Sequence, residues 1–297
     1  MKPVIIAFPD MRRLAVELTP LLGADHLEME WRHFPDGESL VTLPSDLAGR
    51  DVILLATLHD PDRLFLPLRF AVDTARKFGA KSVGLISPYL AYMRQDKQFH
   101  PGEAVSAPLF AALLAESFDW LVTIDPHLHR NRDLSQLFAI PAVHASAAQV
   151  IAGWIKKNTS DAILLGPDSE SQQWVAEVAR LAQCPFEVLR KIRRGDRTVD
   201  VSLPDGKVLR SGTPVILDDI ASSGQTMVRT LEHIRALRAD AAVCVVIHAV
   251  FAGSAYQDIL AAGAARVVST NTIVHESNEI SIAPLLAKTA RRMGTTP

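Results

Sequence analysis

Residues 215–226 read VILDDIASSGQT: an apolar run, two adjacent carboxylates, and a loop of small and polar residues. The flanking sequence extends this stretch, because PVIL predicts a buried strand and MVRTLEHI opens an amphipathic helix. The loop therefore follows the carboxyl end of a strand, which is where open α/β sheets bind their ligands. The stretch predicts an α/β fold and places a candidate binding loop on it.

The same alternation of strand and helix continues along the chain. Helical segments such as AVDTARKFGA carry apolar residues at three- and four-residue steps. Continuous apolar strands separated by helices predict parallel sheets that are covered on both faces. The strands fall into two groups divided near residues 140–160, which predicts a pseudo-repeat of two α/β domains, 1–145 and 146–297. The predicted strands are 4–8, 52–57, 82–87, 121–125, 162–167, 214–219, 241–251 and 266–270.

The composition limits the classes of ligand. The 31 basic and 33 acidic side chains nearly cancel, so no strong overall field attracts nucleic acid or an acidic membrane surface, and an anionic ligand must be held locally. The two cysteines, Cys184 and Cys244, lie in apolar surroundings that suit a reducing compartment. We find neither a signal-peptide pattern nor an apolar run of the roughly 18 residues that a membrane span needs. We therefore expect a cytoplasmic protein.

The chemistry of the loop narrows its ligand. Backbone N–H groups of residues 222–226 would point at an anion, assisted by hydroxyls and by the helix dipole. Asp218 and Asp219 would repel a bare phosphate, so the ligand must also offer hydroxyl donors or a bound cation, and a sugar phosphate offers both an anion and donors. The simpler alternative is that the acids cap the helix and that SSG is an ordinary turn. The candidate anion-binding residues are Ser222, Ser223, Gly224, Gln225 and Thr226.

VILDDIASSGQT resembles the ribose-phosphate signature of type I phosphoribosyltransferases and of ribose-phosphate pyrophosphokinases. Three further segments resemble only the pyrophosphokinases, in their order and approximate spacing: FPDGES at 34–39, SPYLAYMRQDK at 87–97 and TIDPHLH at 123–129. The resemblance to the pyrophosphokinase family covers nearly the whole chain. It implies two phosphoribosyltransferase-like domains, with ribose 5-phosphate bound by Asp218, Asp219 and the 222–226 loop.

Two segments of the first half are candidates for nucleotide binding. FPDGE combines an aromatic face with two acids on a turn, which suits an adenine ring and its amino group, and Arg94 and Gln95 offer donors to a phosphate or a base edge. Without the resemblance, an ordinary turn and an exposed polar loop would explain both segments. The resemblance implies that the FPDGE turn enters the ATP site of a neighbouring subunit, and hence at least a homodimer. The implied ATP-binding residues are Phe34, Asp36, Gly37, Glu38, Arg94 and Gln95.

The resemblance also implies a magnesium site. His127 follows the predicted strand 121–125, although a lone histidine is more often structural. The family has a magnesium-associated histidine at this position, and Asp168 matches its second metal-associated residue. Since Mg²⁺ keeps several waters and prefers oxygen ligands, we expect these residues to position hydrated Mg²⁺–ATP.

Residues 189–202, LRKIRRGDRTVDVS, are the densest basic run of the chain. Such a run is usually a solvated hairpin. The family has a catalytic hairpin here, and its lysine and arginine match Lys191 and Arg193. These two cations would close over ATP and stabilise the charge of the transferred group.

The resemblance implies that the anomeric hydroxyl of ribose 5-phosphate attacks the β-phosphorus of Mg²⁺–ATP and forms 5-phosphoribosyl 1-diphosphate and AMP. Two alternatives stay open. A catalytically silent regulatory paralogue is one, because the chain departs from the family near its phosphate sites. A phosphoribosyltransferase-type enzyme is the other, although it gives FPDGE and RQD no role. The departures are Ser222 in place of a common acid, Gln225 in place of a glycine, SESQQW after Asp168, and Ala48 in place of a common arginine.

Overall fold

The computed structural model describes residues 1–128, 133–167, 171–189, 191–194, 198–201, 212–237 and 242–293. These residues form two compact units. The first comprises Met1–Ala145 together with the segment that begins at Ala283, and the second comprises Ser146–Ile282. Within the described ranges, no helix combines the length and the apolar character needed to cross a membrane.

The first unit is built on a six-stranded sheet in which every neighbouring pair is parallel. Helices cover both faces of this sheet, so its central strands are buried almost completely. In chain order its elements are β1 Val4–Ala7, α1 Arg12–Leu22, β2 Asp25–Leu27, β3 Glu30–His33, β4 Ser39–Thr42, β5 Asp51–Leu55, α2 Pro61–Lys77, β6 Ser82–Ser87, α3 Ser106–Ala115, β7 Trp120–Ile124 and β8 Ala142–Ala145.

The second unit is built on another six-stranded parallel sheet. Its elements are α4 Ala148–Asn158, β9 Ala162–Gly166, α5 Gln172–Ala182, β10 Phe186–Val188, β11 Lys191–Arg194, β12 Thr198–Val201, β13 Thr213–Ile220, α6 Gln225–Leu237, β14 Val243–His248, α7 Ala255–Ala261, β15 Arg266–Thr270 and β16 Asn278–Ile280. The helix α8, Ala283–Ala290, follows it in the chain.

The two sheets have the same topology. The first has the order β2-β1-β5-β6-β7-β8, and the second has β10-β9-β13-β14-β15-β16, so each strand has a counterpart eight strands later. An antiparallel hairpin follows the second strand of each unit: β3 pairs with β4, and β11 pairs with β12. The predicted α/β fold with a pseudo-repeat of two parallel-sheet domains is confirmed.

The helix that follows the last strand of each sheet belongs to the other unit. Helix α4 follows β8 but packs with α5, whereas α8 follows β16 but packs with α1. The expected division into 1–145 and 146–297 therefore coincides with the observed one at Ala145 and differs for the segment from Ala283 onward. The physical reason is the apolar face of α8, where Leu286 and Ala287 are buried in the first unit.

Gly84 illustrates how tightly the first sheet is packed. It is the residue of β6 that pairs with Trp120 of β7, and a Cβ added at Gly84 would lie 1.9 Å from Cε2 of the buried Trp120 ring. An indole in the core cannot move away without disturbing its other neighbours. Only glycine fits beside this tryptophan.

We expect Gly84→Ala to lower the free energy of unfolding by about 1–3 kcal/mol, the usual effect of overpacking a core. Urea unfolding followed by fluorescence measures the change. Gly153→Ala is the matched control, because Gly153 lies inside α4 with no atom within 4 Å of its Cβ position. Alanine there should leave stability unchanged or raise it. Equal midpoints for Gly84→Ala and the unmodified protein would contradict this account of the packing.

Candidate functional site

The two adjacent carboxylates lie at the carboxyl end of β13, a central strand of the second sheet. Residues 214–217 of this strand are buried, whereas Asp218 and Asp219 are only half-buried. Each carboxylate is oriented by the next backbone amide: the N–H of Asp219 donates to Asp218 Oδ1 at 3.0 Å, and the N–H of Ile220 donates to Asp219 Oδ1 at 2.8 Å. Two oriented carboxylates therefore stand where the strand leaves the core, as the sequence predicted.

The loop that follows is held by backbone hydrogen bonds at its start and by a glycine at its end. Phe251 N–H donates to the carbonyl of Ala221 at 2.8 Å, and Ala252 N–H donates to that of Ser222 at 2.9 Å. Gly224 has φ +69°, in the left-handed region, and a Cβ there would lie 3.0 Å from Cδ1 of Ile259. A side chain at Gly224 would therefore need an unfavourable backbone conformation and would also press against Ile259.

The loop presents unpaired donors at the beginning of α6. The first hydrogen bond of this helix joins Val228 N–H to the carbonyl of Gly224 at 2.9 Å, so the N–H groups of the preceding helical residues have no partner within the helix. Such groups, with the positive end of the helix dipole, favour an anion. Ser223 and Gln225 are exposed beside them, and the bulk of Gln225 therefore lies at the surface. The loop and the carboxylates together suit a phosphate ester whose organic part carries hydroxyl groups.

The FPDGE segment forms the tip of the β3–β4 hairpin. The Phe34 N–H donates to the carbonyl of Glu38 at 2.8 Å, the Gly37 N–H to that of Phe34 at 2.9 Å, and the Glu38 N–H to Asp36 Oδ1 at 3.1 Å. Phe34 is 40% exposed, and the Arg32 guanidinium lies 5.0 Å from the centre of its ring. The hairpin therefore presents an aromatic face and two acids away from the core of its own unit.

Tyr92 precedes the candidate nucleotide residues in an uncommon conformation. Its φ is +65°, which is rare for a bulky residue. The ring lies 4.8 Å from Phe110, and the hydroxyl donates to Asp62, a hydrogen bond that raises the pKa of Tyr92. Side-chain contacts from α2 and α3 hold this turn, and Arg94 is exposed beyond it.

The candidate metal ligands are described only in part. His127 follows β7 at φ +55°, and its N–H donates to the carbonyl of Asp125 at 2.8 Å. Asp168 lies outside the described residues. Among the residues that are described, no three His, Cys, Asp or Glu side chains form a cluster able to hold a metal ion. His127 is half-buried at the carboxyl edge of the sheet, and its role in holding a metal ion stays a prediction.

The basic segment forms the predicted hairpin. Lys191 and Arg193 occupy alternate positions of β11, where they pair with Val201 and Val199 of β12. The structure describes the backbone of these strands, so the catalytic role implied for the two cations remains a prediction.

The structure brings the candidate ribose-phosphate residues together within a single strand, loop and helix. The nucleotide candidates lie on two separate segments of the first unit, the β3–β4 hairpin and the turn after β6. Sequence reasoning missed Tyr92, whose neighbour Asp62 lies 30 positions away in the chain.

The fold and the loop define a class of protein with two phosphoribosyltransferase-like domains, one of which carries a loop suited to a phosphate group. Residues 4–117 match the N-terminal domain of ribose phosphate pyrophosphokinase, and residues 133–283 match the phosphoribosyl transferase domain. The ribose-phosphate pyrophosphokinase of Methanothermobacter thermautotrophicus is 31% identical over 96% of this chain and 98% of its own length. The ribose-phosphate pyrophosphokinase of Saccharolobus solfataricus is 32% identical over 89% of this chain and 91% of its own length.

A solved structure agrees with these relatives. The crystal structure of phosphoribosylpyrophosphate synthetase from Mycobacterium smegmatis matches with a TM-score of 0.84 and 25% identity over 99% of both chains. The chain belongs to the ribose-phosphate pyrophosphokinase family. The family predicted from the sequence is confirmed.

We expect Asp218→Asn and Asp219→Asn to raise the KM for ribose 5-phosphate about 10- to 100-fold, because each would remove the charge-assisted hydrogen bonds predicted to form with the sugar. The KM for ATP should change little. Steady-state kinetics with each substrate varied in turn measures both constants. Glu232→Gln, which removes an exposed carboxylate from α6, is the control and should change neither. A loss confined to ATP affinity would count against the assignment.

Proposed function

We propose that the chain transfers the β,γ-diphosphoryl group of Mg²⁺–ATP to the C1 hydroxyl of ribose 5-phosphate, with 5-phosphoribosyl 1-diphosphate and AMP as products. It is then a diphosphotransferase that supplies nucleotide biosynthesis. One observation carries this proposal: a phosphoribosyl transferase domain, which includes residues 218–226, and the N-terminal domain of ribose phosphate pyrophosphokinase are both matched in the same chain. A plain phosphoribosyltransferase would need only the first of these parts.

The second unit would hold the sugar phosphate. Backbone N–H groups and hydroxyls of Ser222, Ser223 and Thr226 would surround the 5-phosphate, with the left-handed turn at Gly224 bringing backbone close to it. Gln225 would contribute its N–H and leave its side chain at the surface. Asp218 and Asp219 would accept hydrogen bonds from the ribose hydroxyls, which fixes the ring and presents the C1 hydroxyl.

The first unit would hold the nucleotide. Arg94 would pair with a phosphate oxygen through its fork of donors, and Gln95 would contact the base or the sugar through its amide. Phe34 would stack on the adenine, while Asp36 and Glu38 would accept from the adenine amino group. Gly37, at φ +93°, permits the turn that places these side chains.

A second copy of the chain would complete this ATP site. The exposed tip of the β3–β4 hairpin supports that assembly, because Phe34 is 40% exposed there. A further support is an exposed apolar surface on α2 and α3, made of two pairs at helical spacing. The helices adjoin, because the rings of Phe65 and Phe110 lie 5.8 Å apart. The exposed residues are Leu66, Phe70, Leu109 and Leu113.

His127 and Asp168 would hold Mg²⁺ together with the ATP phosphates and water, and the ion would neutralise part of the phosphate charge. Lys191 and Arg193 would stabilise the charge that develops on the transferred group. The reaction needs the attacking hydroxyl and the β-phosphorus in line, so positioning and charge neutralisation dominate over any general base. A cytoplasmic location agrees with the two free cysteines, Cys184 and Cys244.

The purified protein, given ATP, Mg²⁺ and ribose 5-phosphate, should form AMP and 5-phosphoribosyl 1-diphosphate in equal amounts. An inactive protein that still binds ATP would favour the silent paralogue.

Lys191→Ala and Arg193→Ala should each lower kcat about 100- to 1,000-fold with little change in KM, because a donor used chiefly in the transition state is lost. Arg194→Ala is the control and should have a small effect. Equal, slight effects at all three positions would instead indicate a solvated hairpin without a catalytic role.

Mixing two variants that each bind ATP more weakly tests the shared ATP site. Phe34→Ala and Arg94→Ala should each raise the KM for ATP, because both residues would contact the nucleotide from different subunits. A mixture of the two variants should recover a fraction of the activity, since mixed assemblies contain sites with neither substitution. Mixing Phe34→Ala with Glu38→Ala is the control and should recover nothing, because both substitutions lie on the same hairpin. Full activity in a verified monomer would rule out the shared site.

A further inference from the structure

A group of polar side chains is buried at the carboxyl end of β14, beside the ribose-phosphate loop. His248, the last residue of β14, is 1% exposed, and Thr270 and Thr272 are fully buried. His248 Nδ1 lies 3.0 Å from Thr272 Oγ1. The hydroxyls of Thr272 and Thr270 donate to the carbonyl of Ile247 at 2.9 and 2.7 Å. Ring and hydroxyl thus form one hydrogen-bonded pair in the core, which links β14 to the segment after β15.

The backbone of the same residues contacts the loop directly. The carbonyl of His248 accepts from the N–H of Ala221 at 3.3 Å and from that of Val250 at 2.9 Å. Three residues later the chain returns, and Phe251 N–H donates to the carbonyl of Ala221. The turn from His248 to Phe251 thus binds both backbone groups of Ala221. Phe251 has φ +28°, so tertiary contacts rather than local preference must hold this turn.

The pseudo-repeat supplies an internal comparison. In the first unit, β6 is the counterpart of β14, and its last residue is Ser87. Ser87 Oγ donates to the carbonyl of Tyr89 within its own loop at 2.7 Å. The strand before it, β5, leads to Pro61 at the first turn of α2, where proline lacks the N–H that an anion would need. The hydrogen bonds among His248, Thr270 and Thr272 therefore lie beside the 221–226 loop of the second unit. The corresponding loop of the first unit, between β5 and α2, has Ser87 in the equivalent place.

We propose that His248 is a positioning residue for ribose 5-phosphate. Its ring fixes the end of β14 to Thr272, and the turn that follows then holds the start of the 221–226 loop in the conformation that binds the 5-phosphate. The inference rests on the proposed function of that loop. A histidine that merely filled the core would affect stability alone, whereas a positioning residue affects the use of one substrate.

His248→Leu and Thr272→Val should each raise the KM for ribose 5-phosphate about tenfold, the change expected for one buried hydrogen bond. The kcat and the KM for ATP should stay within about twofold of the unmodified values. The double variant should raise this KM by less than the product of the two single effects, because His248 and Thr272 share one interaction. His248→Asn should recover most of the affinity, since its amide can donate or accept a hydrogen bond near the position of Nδ1. Ser87→Ala, at the equivalent place of the first unit, should leave the KM for ribose 5-phosphate unchanged.

A binding measurement without ATP separates this inference from the proposed function. Ribose 5-phosphate should raise the unfolding midpoint of the unmodified protein and raise it less in His248→Leu. No rise in the unmodified protein would overturn the proposed role of the loop. A normal rise in both proteins, or equal increases of both KM values, would overturn the role of His248. If His248→Leu does not fold, Thr272→Val decides by the same criteria.

Discussion

Burial of both faces of each parallel sheet is the constraint on which the rest of the structure depends. It requires a helix between successive strands, and it brings all the carboxyl ends of the strands to one edge of the sheet. Strand β13 shows the consequence within eight residues. Val215, Ile216 and Leu217 are completely buried, and the next two residues are the half-buried Asp218 and Asp219. The same strand thus supplies part of the core and the first residues of the binding site.

The two units share this topology but carry different candidate binding residues. The hairpin after the second strand carries an exposed aromatic and two acids in the first unit, but the basic sequence Lys191–Arg194 in the second. The loop after the central strand opens α6 with free N–H groups in the second unit, whereas its counterpart begins α2 with Pro61. The shared backbone determines where loops emerge, and a few residues in each loop determine what they can bind. Family membership alone would not show this division of roles.

Much of the fold could be predicted from the sequence, because each long apolar run forms a strand. The edge strands β2, β8, β10 and β16 were not predicted, since they are three or four residues long and partly exposed, and so lack an apolar run. The run 241–251 is longer than β14 because its last residues form the turn that contacts the loop. The sequence could not predict which unit α8 belongs to, because an apolar helix face does not reveal which sheet it covers.

The site residues could be predicted where they are adjacent in the chain. They could not be predicted where contacts between residues far apart in the sequence hold them in place. The loop at 222–226 is a local pattern, but the contacts that support it join His248 to Thr272, and those near Arg94 join Tyr92 to Asp62. Among the described residues, six non-glycine residues have positive φ, and four of them, Tyr92, Asp125, His127 and Phe251, flank candidate binding loops. Such conformations persist only when the surrounding structure imposes them. Contacts from distant parts of the chain therefore hold the residues beside these candidate loops, and a loop that is held in this way loses less entropy on binding and leaves more of the contact energy for affinity.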